Sequence, residues 1–86
     1  MRIEFFQAPW CGSCKGTKPH VISACKDQGV EIEYIDASID PDYCNQMRVT
    51  QLPTIIIYDG MREVDRIIGA VGKYEMAKRL QEAKSE

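Results

Sequence analysis

A chain of 86 residues is long enough for one compact domain and too short for two. Its residues are 44% hydrophobic and 28% charged, the balance of an ordinary globular protein. A formal net charge of −2 argues against the broad basic face that nucleic-acid binding needs, and no apolar run approaches the roughly 18 residues of a membrane span.

Met1-Arg2 leads directly into Ile3-Glu4-Phe5-Phe6, too short and too polar for the core of a signal peptide. The expected location is a reducing cytoplasm, where a close Cys pair is more often catalytic or metal-binding than a structural staple. Arg2 to Gln7 reads as a strand. A helix follows from about Gly12 to Gln28, with Gly29 as a left-handed cap. Glu31 to Asp36 alternates polar and apolar, the strand period. Pro41 to Met47 reads as a short helix, with Asp40 as N-cap and Pro41 in the first turn. Thr54 to Tyr58 is a continuous apolar run suited to a central strand covered on both faces. Asp59-Gly60 signals a tight hairpin, with Arg62 to Ile68 returning as an edge strand. Lys73 to Lys84 puts Met76, Ala77, Leu80 and Ala83 on one helical stripe. The order predicts one α/β domain over residues 1–86: a mixed four-stranded sheet, βαβ then ββα, flanked by helices.

Trp10-Cys11-Gly12-Ser13-Cys14 carries the chemistry. With Cys11 at the start of the first helix, its sulfur meets unpaired backbone N–H groups and the positive end of the helix dipole. Both favour a thiolate, lowering the thiol below its free value of about 8.5. Cys14 lies one turn on, at a separation that fits the Cα spacing of about 4.4–6.8 Å that a disulfide requires. Cys14 shares a stripe with Val21, Ala24 and Cys25 and so faces the protein body, whereas Cys11 is expected at an exposed helix tip. Those placements make Cys11 the attacking sulfur and Cys14 the resolving one. A lone Cys-x-x-Cys is also half of many metal sites, but Cys25, Cys44 and His20 form no second pair in sequence. Cys25 reads as core filling, Cys44 less clearly so, and His20 as a surface or partly buried helix residue. Asp36, Asp40 and Asp42 lack the pattern of a calcium loop and read as capping and turn residues.

Ala8-Pro9-Trp10-Cys11-Gly12-Ser13-Cys14-Lys15 resembles the Trp-Cys-Gly-Pro-Cys-Lys active site of the thioredoxin family. Pro19 matches the proline in that family's active-site helix, and Val49 to Thr54 resembles the segment carrying its cis-proline. The resemblance runs from Ile3 to Lys84 and implies a minimal thioredoxin-like fold. It implies a cis Pro53 beside the Cys pair and a substrate groove bordered by Trp10, Gly12, Ser13, Leu52, Gly69 and Ala70. It also implies a protein-disulfide reductase without cofactor or metal, cycling a Cys11–Cys14 disulfide.

The sequence departs from the family in three ways. The family's N-terminal strand and helix have no counterpart before the motif. Ser13 replaces the proline between the cysteines, which implies a potential less reducing than about −270 mV. Phe5 and Tyr34 stand where the family carries a buried Asp and its Lys partner, leaving water or the Tyr34 hydroxyl to serve Cys14. Glu4 is expected on the opposite sheet face.

The implied partners are disulfide-containing proteins, with thioredoxin reductase or glutathione as electron donor and ribonucleotide reductase among the admissible substrates. A monomer without nucleic-acid or membrane partners is expected. Two alternatives remain: a glutathione-dependent glutaredoxin-like enzyme and a Cys-x-x-Cys metal-binding module.

Overall fold

The computed structural model describes residues 1–85. The chain runs β1 (Arg2–Gln7), α1 (Gly12–Gln28), β2 (Glu31–Asp36), α2 (Pro41–Gln46), β3 (Thr54–Asp59), β4 (Arg62–Ile68) and α3 (Lys73–Lys84). Local chemistry sets most of these limits. α1 stops at Gly29, whose φ of 66° costs glycine nothing and lets its N–H reach the last carbonyls of the helix. Pro41 opens α2, although the Asp40 side chain makes no capping bond. α2 ends one residue earlier than its sequence suggests, because Met47 takes the C-cap and Arg48 turns left-handed at φ 58°.

The sheet order is β2-β1-β3-β4. β1 and β2 are parallel, joined by the α1 crossover, while β3 is antiparallel to both β1 and β4. Alternation along the central strands sends side chains to two different cores. Ile3, Phe5, Ile55, Ile57 and Ile67 face Val21 and Ala24 of α1 and Met76 and Leu80 of α3. Phe6, Ile56 and Tyr58 face the other way, onto Cys44 of α2 and Val49 of the loop after it. Ile55, Ile56 and Ile57 are all fully buried, which explains the unbroken apolar run of β3.

Glu4 lies on the α2 side with only 3% of its surface exposed. Its carboxylate accepts hydrogen bonds from the Tyr43 hydroxyl, on α2, and from the Tyr58 hydroxyl at 2.8 Å, on β3. Arg2 approaches it at 3.7 Å. Burial, then the Glu4 hydrogen bond and charge, push the Tyr43 phenol up to about 12 and raise Tyr58 as well. Both tyrosines therefore stay protonated donors at neutral pH, and the buried carboxylate is satisfied rather than orphaned.

On the opposite side, Arg79 of α3 grips Asp65 of β4 with two bonds, Nε at 2.6 Å and Nη2 at 2.8 Å. That bonding holds the Asp65 carboxyl below its ordinary value of 3.8. The folded state binds this proton less readily than the unfolded chain does. The stabilisation is thus complete above the ordinary value and lost as pH falls through the lowered one. Urea midpoints followed from about pH 7 to about pH 2 should fall more steeply for the native protein than for Asp65→Asn, with the curves converging at the acid end.

Candidate active site

Beyond the end of β1, the Cys11 N–H bonds to the Ala8 carbonyl at 3.1 Å and closes a turn. The turn delivers Cys11 to the N-cap of α1 in an extended conformation, φ −92°. There its sulfur accepts the Cys14 backbone N–H at 3.2 Å, the bond that a Ser or Asp side chain makes at an ordinary helix start. Cys11 and Cys14 are joined in a disulfide with their Cα atoms 5.3 Å apart. The Ser13 hydroxyl lies 3.5 Å from Cys11 Sγ. A disulfide sulfur carries no hydrogen, so Ser13 is the donor. Two donors thus converge on one sulfur.

The expected exposed tip is corrected by the structure. Cys11 is only 7% exposed and Cys14 1%. Ala8 and Leu52 pack over the pair and close it in. What solvent meets instead is the rim, with Trp10 74% exposed and Gly12 and Ser13 open. Cys11 remains the more accessible of the two residues, by a smaller margin than the sequence suggests.

Leu52 and Pro53 arrive from the far side, in the loop between α2 and β3. The Leu52–Pro53 peptide bond is cis. The Pro53 carbonyl accepts the Gly69 N–H at 2.8 Å, and the Thr54 hydroxyl donates to the Gln51 carbonyl at 2.6 Å. Gly69 has φ 97°, a conformation that other residues rarely adopt. Arg66 of β4 reaches the Met47 carbonyl at 2.9 Å and so ties down the start of this loop. Ala70 is exposed and shares a cavity with Ser13. Of the nine residues singled out by sequence, Leu52 packs on Cys11 and Cys14, and the Ser13 hydroxyl lies beside Cys11. Pro53, next to Leu52, is bonded to Gly69, and Ala70 lines a groove with Ser13. Trp10 and Gly12 flank the disulfide on the exposed rim.

The surroundings of Cys14 differ from expectation. Tyr34 is 45% exposed, with its ring edge-on to Phe5 at 6.2 Å and the Lys18 ammonium 4.9 Å above it. Its hydroxyl makes no hydrogen bond among the described residues. A cavity of about 210 Å³ beside Cys14 is lined instead by Gln7, Pro9, Lys15, Lys18 and Asp36. Asp36 Oδ1 accepts both the Ser38 hydroxyl at 2.6 Å and the Ser38 N–H at 2.9 Å. Those bonds lower its pKa and keep it an anion. Sequence reading saw the turn role of Asp36 and missed its neighbour. The missing signal was the parallel register that sets Asp36 against Gln7.

Cys25 and Cys44 are buried free thiols. Burial pushes Cys25 up to about 11 and also raises Cys44, with the Asp40 charge contributing to the latter. Among the described residues, no three His, Cys, Asp or Glu side chains gather as a metal site would require.

A dithiol at the amino end of a helix, faced by a cis-proline loop on a mixed four-stranded sheet, defines a thiol–disulfide oxidoreductase. The thioredoxin family model matches residues 2–82, and the chain belongs to the thioredoxin family. It is 33% identical over 78 residues to a thioredoxin of Synechocystis sp., covering 88% of this chain and 73% of the relative. It is 31% identical over 77 residues to the bifunctional thioredoxin reductase/thioredoxin of Mycobacterium leprae, covering 87% of this chain and 17% of that protein. The solved structure of thioredoxin 1 from Thermosipho africanus TCF52B matches with a TM-score of 0.83 at 30% identity, over the whole of both chains. The protein is thus a protein-disulfide oxidoreductase, with disulfide-bearing proteins as substrates.

Removing the Ser13 hydroxyl leaves one donor on Cys11. Ser13→Ala should slow alkylation of reduced Cys11 near neutral pH by about three- to tenfold, whereas Ser13→Thr keeps the donor and the rate. Timed alkylation with mass spectrometry measures both.

Proposed function

We propose that this chain acts as one domain that reduces protein disulfides, with Cys11 attacking and Cys14 resolving. The observation that carries the assignment is the Cys14 N–H bond to Cys11 Sγ, which gives Cys11 the helix-end stabilisation and leaves Cys14 deeper in the protein. In the reduced protein the Cys11 thiolate attacks one sulfur of a substrate disulfide. A Cys11–substrate disulfide forms and one substrate thiolate leaves. Cys14 then gives up its proton, and its thiolate attacks Cys11 Sγ. The mixed disulfide breaks, the second substrate thiolate leaves, and the Cys11–Cys14 bond closes. Two electrons have passed to the substrate, and the two released thiolates take up protons.

Asp36 is the anion placed to relay the Cys14 proton through water in the cavity they share. Trp10, Gly12, Ser13, Leu52, Pro53, Gly69 and Ala70 border the groove, and the Leu52 backbone pairs with an extended substrate segment. The donor in this reading is a thioredoxin reductase. The likeness to a protein whose name joins that reductase to a thioredoxin supports it. A cytoplasmic setting, a monomeric state and ribonucleotide reductase among the substrates complete the proposal.

Cys11→Ser should abolish disulfide reduction, and Cys14→Ser should accumulate a mixed disulfide with substrate, visible by non-reducing electrophoresis. Oxidised protein should be reduced by NADPH with a thioredoxin reductase and not by glutathione. The opposite preference assigns it to the glutathione pathway, and alkylation of Cys14 before Cys11 reverses the roles.

A further inference from the structure

The thiolate that resolves the mixed disulfide forms in an unfavourable place. Cys14 is only 1% exposed, and burial opposes a thiolate. Its own N–H, one of the donors of the helix start, is committed to Cys11 Sγ. Across the shared cavity stands Asp36, kept an anion by its Ser38 bonds, and like charges repel. A cation beside Cys14 offsets both effects.

Two lysines line that cavity, Lys15 and Lys18. Lys15 is exposed, so solvent screens its charge. Lys18 is half-buried and lies one helical turn after Cys14 on α1. Long helical side chains lean toward the amino end, so a residue four positions on covers the turn before it. Lys18 therefore leans over the turn that holds Cys14.

An unrestrained lysine spreads over many rotamers. Here the Tyr34 ring lies under the Lys18 ammonium, which is 4.9 Å from the ring centroid. Tyr34 is fixed in turn, edge-on to the fully buried Phe5. Strand alternation puts Tyr34 and Asp36 on one face of β2, the face toward α1. The charged groups facing the cavity are Lys15 and Lys18 from α1 and Asp36 from β2. The end of β1 and the turn after it contribute the uncharged Gln7, Ala8 and Pro9.

We propose that Lys18 supplies the positive charge that stabilises the Cys14 thiolate, and that Tyr34 is the positioning residue that holds it there. The proposal rests on Cys14 being the resolving sulfur and names what makes it reactive. Cys14 passes its proton through water to Asp36, its thiolate attacks Cys11 Sγ, and the substrate thiolate leaves. The Lys18 ammonium keeps its proton throughout. The role of Tyr34 lies in its ring and not in its hydroxyl.

Reduced protein mixed with an equal amount of a symmetric nitroaryl disulfide releases two coloured thiolates in sequence. The first reports attack by Cys11 and the second reports resolution by Cys14. Lys18→Met should slow the second phase about tenfold near neutral pH and the first by less than about threefold. The pH at which the second phase is half-maximal should rise by about one pH unit. Lys18→Arg should restore the native rate. Lys26→Met, the same charge loss about 18 Å further along α1, should leave both phases unchanged. Tyr34→Leu should slow the second phase about threefold, whereas Tyr34→Phe keeps the ring and the rate. An unchanged second phase in Lys18→Met, or equal slowing by Lys26→Met, overturns the role of Lys18. Equal rates for Tyr34→Leu and Tyr34→Phe overturn that of Tyr34. Cys14→Ser checks the underlying reading separately: a second phase that persists there removes Cys14 as the resolving sulfur.

Discussion

The bond from the Cys14 N–H to Cys11 Sγ is the constraint around which the site is organised. A helix begins with N–H groups that lack partners, and most helices satisfy one of them with an oxygen. Here a sulfur does it. The same contact starts α1, fixes the separation of the two cysteines and stabilises negative charge on one of them. Capping and reactivity are therefore one interaction, and a change to the helix start is a change to the chemistry.

That helix end is held in place by two sheet faces with different chemistry. The face toward α1 and α3 has an apolar core, from Ile3 and Phe5 to Leu80, with the Asp65–Arg79 pair at its edge. Packing against it holds α1, and Gln28 Nε2 of α1 also donates to the Ala77 carbonyl of α3 at 2.9 Å. The face toward α2 contains a charge, Glu4, made tolerable by the Tyr43 and Tyr58 hydroxyls. Removing one tyrosine hydroxyl would leave a buried anion short of a donor, which costs more than the hydrogen bond itself contributes. α2 is thus located by directed polar bonds as well as by Phe6 and Ile56. The loop after α2, which carries Leu52 and Pro53 to the disulfide, inherits that placement and is further tied by Arg66 to the Met47 carbonyl.

Several expectations failed at the same kind of place. Cys11 was expected to be exposed because helix tips usually are; Leu52, 41 positions away in sequence, covers it. Water or the Tyr34 hydroxyl was expected to serve Cys14, because Phe5 and Tyr34 stand where the family carries its Asp and Lys. Tyr34 does pair with Phe5 in the sheet. Its ring instead turns outward under Lys18, while Asp36, two residues on, lines the cavity at Cys14. His20 read as remote from the motif, yet two further helical turns bring it onto the same cavity as Ser13. Each miss concerned which side chain from another element fills a given space.

The sequence by itself determined the elements and the reaction. Period-two alternation in β2, the apolar run of β3, Gly29 after α1 and Asp59-Gly60 before β4 are local signals, because they reflect the backbone and its immediate neighbours. The Cys11–Cys14 spacing is local too, so the dithiol was legible before any fold. Tertiary structure alone decided how deeply the sulfurs lie, which acid stands beside Cys14 and where the groove opens beyond Ser13. Those depend on strand register and on loops folding back across long separations. Burial and electrostatics are set by neighbours in space, and no local pattern in the chain encodes them.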